Sequence, residues 1–343
     1  LRRQRQMCIR DRDDLVKAIL DQFANFTYDE KYKAFTEKFN YLDDAHAARR
    51  VIEKTIKTDL GPAFRFYKWV IHTKNVIRKS FRDGYIAFSG MLRCMGLCRT
   101  ANSKLLYSYK NKHKGQRCFL VGNGPSMRLS DLEGLQKNGE ITFGCNLVTK
   151  AFDQTTWRPD YYFLIDRICA KFQSEEINEA IGDIPLFTNI TTYNIFREKP
   201  KNPVILYNIA KDKYKVKRSP LAYYIPSGST VMSLMIEMAV YMGFSEIYLI
   251  GCDCTSTFTG NTHFINGYTD DKLKQRDAKK IVDRMRRLGI QSDDYEKYFL
   301  DGSLNAYTLL KEHAIKHHVK IFNATRGGAL EVFDRVDLDE FVK

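Results

Sequence analysis

The chain has 343 residues, enough for one large or two modest domains. It contains no run of about 18 apolar residues, so we expect no membrane span. The formal net charge of +14 is uneven, because residues 1–115 hold 25 Lys and Arg against 12 Asp and Glu, whereas residues 116–343 hold 30 against 29. This excess predicts an anionic membrane surface or another polyanion as a partner of the N-terminal third; a solvated helical face is the alternative.

Eight cysteines occur without the paired spacing of a zinc knuckle, and no secretory signal peptide is visible. We interpret them as free thiols that behave mostly as small hydrophobes. The expected location is therefore the cytoplasm, with the basic region peripheral to the inner face of the membrane. Residues 1–12 lack a start Met, and Met7–Arg12 resembles translated adapter sequence, so we predict a non-native leader there.

Residues 13–115 have the apolar spacing of helices, and Lys and Arg fill the positions between the apolar residues. Gly61-Pro62 is predicted to divide this basic helical region, and the polar stretch 110–116 is predicted to be a linker. Aromatic residues interleaved with cations can bind nucleic acid, but they also suit a helix on an anionic membrane. No nucleic-acid motif is present, so we expect no nucleic-acid partner.

From Arg117 onward, short apolar runs alternate with helical patterns. The predicted strands are 118–121, 141–145, 161–165, 185–188, 204–207, 246–251 and 319–323. The clearest helices are Ser229–Met242 and Leu304–His317. This order predicts an α/β fold for residues 116–343, a doubly wound, mostly parallel Rossmann-like sheet preceded by the helical N-terminal extension.

The first strand runs into the turn Gly122-Asn123-Gly124-Pro125-Ser126. Glycines before a helix let backbone N–H groups approach an anion, Pro125 suits a first helical turn, and Ser126 can act as a cap. The turn departs from a dinucleotide fingerprint, because Met127 occupies the third glycine position, and the chain has no Gly-Lys-Ser/Thr of a P-loop. A nucleotide site is predicted here; an ordinary βα turn is the alternative.

Further polar residues follow other predicted strands. Asn146 follows the second strand, Asp166 the third and Asp253 the sixth, while Ser227-Gly228-Ser229-Thr230 precedes a helix. Ligands of α/β sheets bind beyond the carboxyl ends of the strands. We therefore predict that these residues converge on one crevice.

These segments together resemble the MptE-like family, which includes 6-hydroxymethylpterin diphosphokinases and motility-associated flagellin glycosyltransferases. The turn Gly122–Ser126, the Gly228-Ser229-Thr230 segment and the strand end Gly251-Cys252-Asp253 carry the resemblance, and residues 260–263 and 323–328 extend it. The Gly-Asn-Gly-Pro-Ser turn is also similar to that of bacterial CMP-sialic-acid sialyltransferases. The resemblance covers about residues 116–335.

The resemblance implies a set of nucleotide-binding residues: Gly122, Asn123, Gly124, Pro125, Ser126, Asn146, Ser227, Gly228, Ser229, Thr230 and Asp253. Sialyltransferases place a His general base ahead of the last helix, where this chain has Asp301 and Gly302 instead. His263 is the next candidate for the base, since a His can deprotonate an acceptor hydroxyl, and Asp301 is the other. A surface-loop histidine is the plainer interpretation of His263.

Three functions follow as hypotheses. The first is a glycosyltransferase that moves a sugar from a CMP-type nucleotide-sugar donor to a glycan or protein hydroxyl and requires no cofactor. The second is a diphosphokinase that transfers pyrophosphate from ATP, with Mg²⁺ held by Asp166 and Asp253. The third is a non-catalytic nucleotide-binding domain.

Overall fold

A computed structural model describes residues 61–97, 100–206, 230–254, 263–265 and 292–343, together with single positions at 30, 33, 34, 282, 285, 286 and 289. The chain divides into two compact units, residues 1–79 and 80–343. The predicted domain limits at 12/13 and 115/116 stay predictions. None of the described helices is long and apolar enough to cross a membrane.

The described helices of the chain are α1 (Gly61–Cys94), α2 (Ala101–Ser108), α3 (Leu129–Lys137), α4 (Arg167–Phe172), α5 (Ser174–Ile181), α6 (Ile190–Tyr193), α7 (Val231–Met242) and α8 (Ser292–Lys316). The strands are β1 (Arg117–Val121), β2 (Ile141–Cys145), β3 (Tyr161–Phe163), β4 (Leu186–Asn189), β5 (Pro203–Leu206), β6 (Glu246–Ile250), β7 (Lys320–Asn323) and β8 (Asp334–Arg335). Short 3₁₀ turns cover Asn146–Ala151 and Leu338–Glu340.

The eight strands form one parallel sheet in the order β5-β4-β3-β2-β1-β6-β7-β8. The doubly wound α/β prediction is therefore confirmed, and all seven predicted strands are present. β8 was not predicted; it has only two residues, and both are exposed. A strand that short carries no apolar alternation from which it could be recognised.

Alternate residues of β1, β3, β4, β6 and β7 face two separate apolar cores, as a parallel sheet covered on both sides requires. In β1, Leu120 packs in the core formed with α2, α7 and α8, whereas Phe119 packs in the core formed with α3, α4 and α5. In β6, Leu249 packs in the same core as Leu120, and Tyr248 packs in the same core as Phe119. With both faces covered, a ligand of this sheet is expected at the strand ends, and α/β sheets bind ligands at the carboxyl ends.

Helix boundaries differ from the prediction where tertiary contacts override local pattern. Helix α7 begins two residues later than predicted, with Thr230 as its N-cap, and ends at Gly243, whose φ of +86° is the left-handed conformation of a helix C-cap. Helix α8 begins at Ser292 and passes through Gly302, although glycine weakens a helix interior. Its buried residues Tyr307 and Leu310 pack in the same core as α7.

The stretch 110–116, predicted to be a linker, is instead bonded to the sheet domain. The backbone N–H groups of Asn111, His113 and Gly115 donate to carbonyls at the end of α7, over distances of 2.8–3.1 Å. Leu106 of α2 is fully buried in the core beneath this segment. Residues 101–116 are therefore part of the packed sheet unit, because these backbone groups find partners only there.

Candidate nucleotide site

We call the region at the carboxyl ends of β1, β2 and β6 the crevice. β1 and β6 are neighbours in the sheet, but the chain leaves β1 towards α3 on one face, while α8, which follows β6, packs on the other. Such a switch point is where open α/β sheets bind ligands. In register, Val121 lies opposite Ile250, which brings the turns that follow the two strands side by side.

The turn after β1 is closely packed against the turn after β6. The N–H of Gly122 donates to Ile250 O at 2.7 Å, and the N–H of Gly124 donates to Gly251 O at 2.9 Å. A Cβ on Gly124 would lie 1.8 Å from Asp253 Oδ2 and 2.6 Å from Gly251 O. Gly124 is therefore required for the contact between the two turns. The N–H groups of Gly122 and Gly124 both donate to backbone carbonyls of the protein itself.

This arrangement corrects the expected start of the following helix. Helix α3 begins at Leu129 with Arg128 as N-cap, so Pro125 does not lie in its first turn and Ser126 is not its cap. The Ser126 hydroxyl instead donates to Asp253 Oδ2 at 2.9 Å. The turn that was expected to bind a phosphate thus donates a hydrogen bond to the carboxylate of Asp253.

Asp253 lies at the centre of the crevice and is only 8% exposed. Burial raises the pKa of its carboxyl above the usual range, and the hydrogen bonds from Ser126 oppose that shift. The loop after β7 closes on the same residue, because the N–H of Ala329 donates to Asp253 O at 2.7 Å. A Cβ on Gly328 would lie 2.5 Å from that oxygen. Three segments distant in sequence therefore meet at Asp253.

The two asparagines lie at neighbouring strand ends. Asn123 Nδ2 donates to Cys145 O at 3.1 Å, which joins the turn after β1 to the end of β2. The next residue, Asn146, has a φ of +50°, a left-handed conformation that asparagine tolerates better than most residues. Its side-chain Oδ1 is buried and has no hydrogen-bond partner among the described residues. A buried acceptor of this kind is suited to a donor group of a ligand.

His263 belongs to a short described segment that contacts this site. The N–H of Phe264 donates to Asn123 O at 3.2 Å, which fixes the neighbouring histidine close to the turn after β1. Burial lowers the pKa of His263 to about 4. The imidazole is therefore neutral at physiological pH and able to accept a proton.

The start of α7 forms another wall of the crevice. Thr230 Oγ1 accepts from the N–H of Met232 at 3.3 Å, and its side chain is hydrogen-bonded to Tyr307 of α8. The same tyrosine hydroxyl is hydrogen-bonded to the thiol of Cys254, just after β6. Tyr307 is buried and its pKa is raised well above the usual value by that burial. It ties the N-terminus of α7, which carries partial positive charge, to the Asp253 strand end.

Other predicted site residues have different surroundings. Asp166 is the N-cap of α4, and its Oδ1 accepts from the N–H of Ile168 at 2.6 Å. β3 lies three strand spacings from β6, about 14 Å at ~4.8 Å per spacing, which disfavours one Mg²⁺ shared by Asp166 and Asp253. Asp301 is exposed on α8. Residues 227–229, which include Ser227, Gly228 and Ser229, lie outside the described residues.

A second polar cluster, which was not predicted from the sequence, joins the segment after β7 to α3. The guanidinium of Arg326, just after β7, donates to both carboxylate oxygens of the buried Asp131 in α3, at 2.6 and 3.0 Å, and also to Asp339. These bonds raise the pKa of Arg326 above its usual value. Asp131 Oδ2 accepts from the N–H of Arg128 as well. In the sequence, only the spacing from Arg128 to Asp131 indicated a helix cap. The bond to Arg326 could not be predicted, because Arg326 lies 195 residues from Asp131.

Residues 97–258 match the model of a family described as 6-hydroxymethylpterin diphosphokinase MptE-like, which confirms the predicted resemblance over that segment. No curated protein and no solved structure matches the chain. The matched segment contains β1 to β6 and the crevice between their ends, and it supports a nucleotide-related transferase in general.

Proposed function

From the match of residues 97–258 to the MptE-like family model, we propose that this protein transfers a group from a nucleotide-activated donor to an acceptor hydroxyl. The observation that carries the proposal is the convergence of Ser126, Asp253 and Ala329 at the switch point. Nothing in an ordinary βα turn requires these bonds between segments more than 70 residues apart. They create a polar crevice where doubly wound sheets bind ligands.

The donor nucleotide would use groups from several segments. The buried Oδ1 of Asn146 can accept from an exocyclic amino group of a base or from a ribose hydroxyl. The carboxylate of Asp253 suits the ribose hydroxyls. Because the N–H groups of Gly122 and Gly124 are occupied, the N-terminus of α7 is the better position for the donor phosphate.

His263 would act as the general base. Its neutral imidazole takes the proton of the acceptor hydroxyl as the oxygen attacks the donor. In glycosyl transfer, the new bond forms at the anomeric carbon, and the bond to the phosphate oxygen breaks with its electron pair leaving on the nucleoside monophosphate. The positive end of the α7 dipole stabilises that developing charge.

We favour a CMP-type sugar donor and a glycan or protein acceptor. A polymer or lipid-linked acceptor is consistent with the basic region that precedes the sheet unit, whereas a small soluble pterin would not need it. This glycosyltransferase requires no cofactor.

A diphosphokinase is the second candidate, because the family is described by that activity. The hydroxyl would then attack the β-phosphorus of ATP and release AMP. This reaction would require Mg²⁺, for which Asp253 could supply one carboxylate and the substrate phosphates the other ligands. The same base and crevice would serve both reactions, so their products must distinguish them.

A thermal-shift series with CMP, CDP, UDP, ADP and ATP, each with and without Mg²⁺, tests the proposal. A ligand at one hundred times its Kd stabilises the folded state by about 2.7 kcal/mol, which raises Tm by several degrees. We expect the largest shift from a cytidine nucleotide without Mg²⁺, followed by CMP release from a CMP-activated sugar. A shift with only ATP and Mg²⁺, and AMP as product, would select the diphosphokinase. No shift with any of the five would reject a nucleotide site.

A further inference from the structure

Helix α1 presents an apolar and basic surface, and the transferase proposal does not say what this surface binds. Within the first unit, residues 61–79 contain five Lys and Arg and no Asp or Glu. Four large apolar side chains in this stretch are exposed: Val70, Ile71, Val76 and Ile77. Ile77 is 50% exposed, although a helix in a globular unit normally turns such a residue inward.

One face of this stretch combines both properties. Val70, Lys74, Ile77 and Arg78 are spaced at i, i+4, i+7 and i+8, which places them on one side of the helix, and together with Thr73 they line a shallow surface depression. Lys74 and Arg78 are themselves exposed. We call these four residues the Val70–Arg78 face.

We propose that the Val70–Arg78 face binds the surface of an anionic phospholipid bilayer. Branched apolar side chains can enter the boundary between headgroups and acyl chains, while neighbouring cations contact the lipid phosphates. A soluble polyanion such as nucleic acid would pair with the cations but would leave Val70 and Ile77 in water. Charge complementarity and exposed apolar area together therefore favour a lipid surface, independently of the reaction catalysed.

The second unit supplies a related observation on the part of α1 that it contains. Phe88 and Met91 are exposed there, as are Met95 and Leu97 just beyond the helix. The complete helix, Gly61–Cys94, holds seven Lys and Arg against one Asp. A helix of this composition has the residues of an interfacial helix rather than of a helix stabilised by ion pairs.

Vesicle co-sedimentation of the full chain tests the proposal. We expect binding to vesicles of seven parts phosphatidylcholine and three parts phosphatidylglycerol at 0.1 M salt, and much weaker binding to pure phosphatidylcholine. Salt at 0.5 M should reduce the binding, because it screens the cations. Equal binding to both vesicle types, or no binding to either, would overturn the proposal.

Variants test the cationic and the apolar residues of the Val70–Arg78 face separately. Each cation near an anionic bilayer contributes about fivefold to partitioning, so Lys74→Glu with Arg78→Glu should weaken binding by at least about 25-fold. Ile77→Asp should weaken it by about tenfold, because it removes insertion while adding one negative charge. Circular dichroism and Tm report whether each variant is folded.

Matched variants on the sheet unit provide the controls. Lys137→Glu with Lys316→Glu makes the same change in net charge at two exposed positions, and Ile315→Asp alters an isoleucine that is 61% exposed. Both should change vesicle binding by less than about threefold. If they weaken it as much as the α1 variants, net charge alone explains the binding and the proposed face is wrong.

Two other outcomes would also reject the membrane assignment. If Ile77→Asp converts an oligomer to a monomer in sedimentation without altering vesicle binding, the face joins two copies of the chain. If a duplex oligonucleotide binds in a manner sensitive to Lys74→Glu and Arg78→Glu but not to Ile77→Asp, and vesicles do not bind, the partner is a soluble polyanion.

Discussion

Polar residues follow strands in both halves of the sheet, yet their partners differ. At the ends of β3 and β4, Asp166 and Asn189 accept hydrogen bonds from the N–H groups of the helices that follow them directly. At the ends of β1 and β6, Ser126 and Asp253 bond to each other, and the loop after β7 bonds to Asp253 as well. The first half uses these residue types as local caps, whereas the second uses them to join distant segments.

The difference shows that a polar residue at a strand end does not by itself indicate a site. Where a helix directly follows the strand, the first N–H groups of the helix are the nearest partners, and they donate hydrogen bonds to the polar side chain. β1 and β6 are neighbours in the sheet, so the segments that follow them meet each other. Asp166 and Asp253 are thus a matched pair with different expected roles, and four experiments can test that distinction.

The largest effect is expected at the proposed base. His263→Ala should lower the transfer rate by 10²–10⁴-fold, because the acceptor hydroxyl loses its proton acceptor. A pKa of about 4 means that His263 is neutral above that pH, so kcat/KM should fall only as the pH approaches 4, with no step near 6.5. A rate against pH profile measures both effects.

His313 provides the control, because burial and the neighbouring His317 lower its pKa to about 4 too, but it lies on α8 outside the crevice. His313→Ala should leave the rate within about twofold of the unaltered chain. Equal losses in the two variants would mean that histidine burial, and not the position of His263, explains the effect.

The next effect concerns the contact between the two glycine turns. Gly124→Ala should destabilise the fold by about 2–3 kcal/mol, because the added Cβ would meet backbone and carboxylate oxygens that cannot withdraw freely. Urea unfolding measures the loss. Gly302→Ala, in α8, has no atom within 4 Å of the new Cβ and should stabilise by up to about 1 kcal/mol. If both variants were neutral, the close approach of the turns would be wrong.

The matched aspartates test the distinction itself. Asp253→Ala should weaken nucleotide binding by about 10–100-fold, the cost of a lost charged hydrogen bond. Asp166→Ala should leave binding within about twofold, while removal of the α4 cap lowers stability by about 1 kcal/mol. Calorimetric titration and urea unfolding separate the two. A comparable loss of binding in Asp166→Ala would instead support a role in holding Mg²⁺.

The smallest effect should come from the tyrosine that ties α7 to β6. Tyr307→Phe is expected to weaken nucleotide binding by about fivefold, because the start of α7 loses its bond to the strand end. Tyr241→Phe removes a similarly buried hydroxyl, which donates to Leu106 O at 3.0 Å away from the strand ends. Each substitution should lower the free energy of unfolding by about 1 kcal/mol. Only Tyr307→Phe should weaken nucleotide binding, which calorimetric titration measures.

Much of the fold could be predicted because it depends on local pattern. Apolar runs such as Cys118–Val121 and Glu246–Ile250 are typical of buried parallel strands, and both are strands here. The start of α8 at Ser292 was not predicted, because Gly302 opposes a helix locally. Local propensity is a weak term, which tertiary contacts readily exceed.

The candidate site was predictable in its residue types but not in its bonds. Asn123, Asn146 and Asp253 were chosen because they follow strands, yet the same argument chose Asp166, which caps its own helix. Tyr307 was not recognised, because in the sequence it is one apolar position of a helix. That these residues bind a nucleotide stays a prediction.

The order of apolar runs and glycine turns alone was sufficient to determine a doubly wound sheet, because burial of each strand depends on its own side chains. Tertiary structure alone decided which polar residues meet. The pairing of Ser126 with Asp253, and of Asp131 with Arg326, joins residues 127 and 195 positions apart. Such pairs follow from strand order, which brings distant chain segments within hydrogen-bond distance, and no local spacing in the sequence encodes that distance.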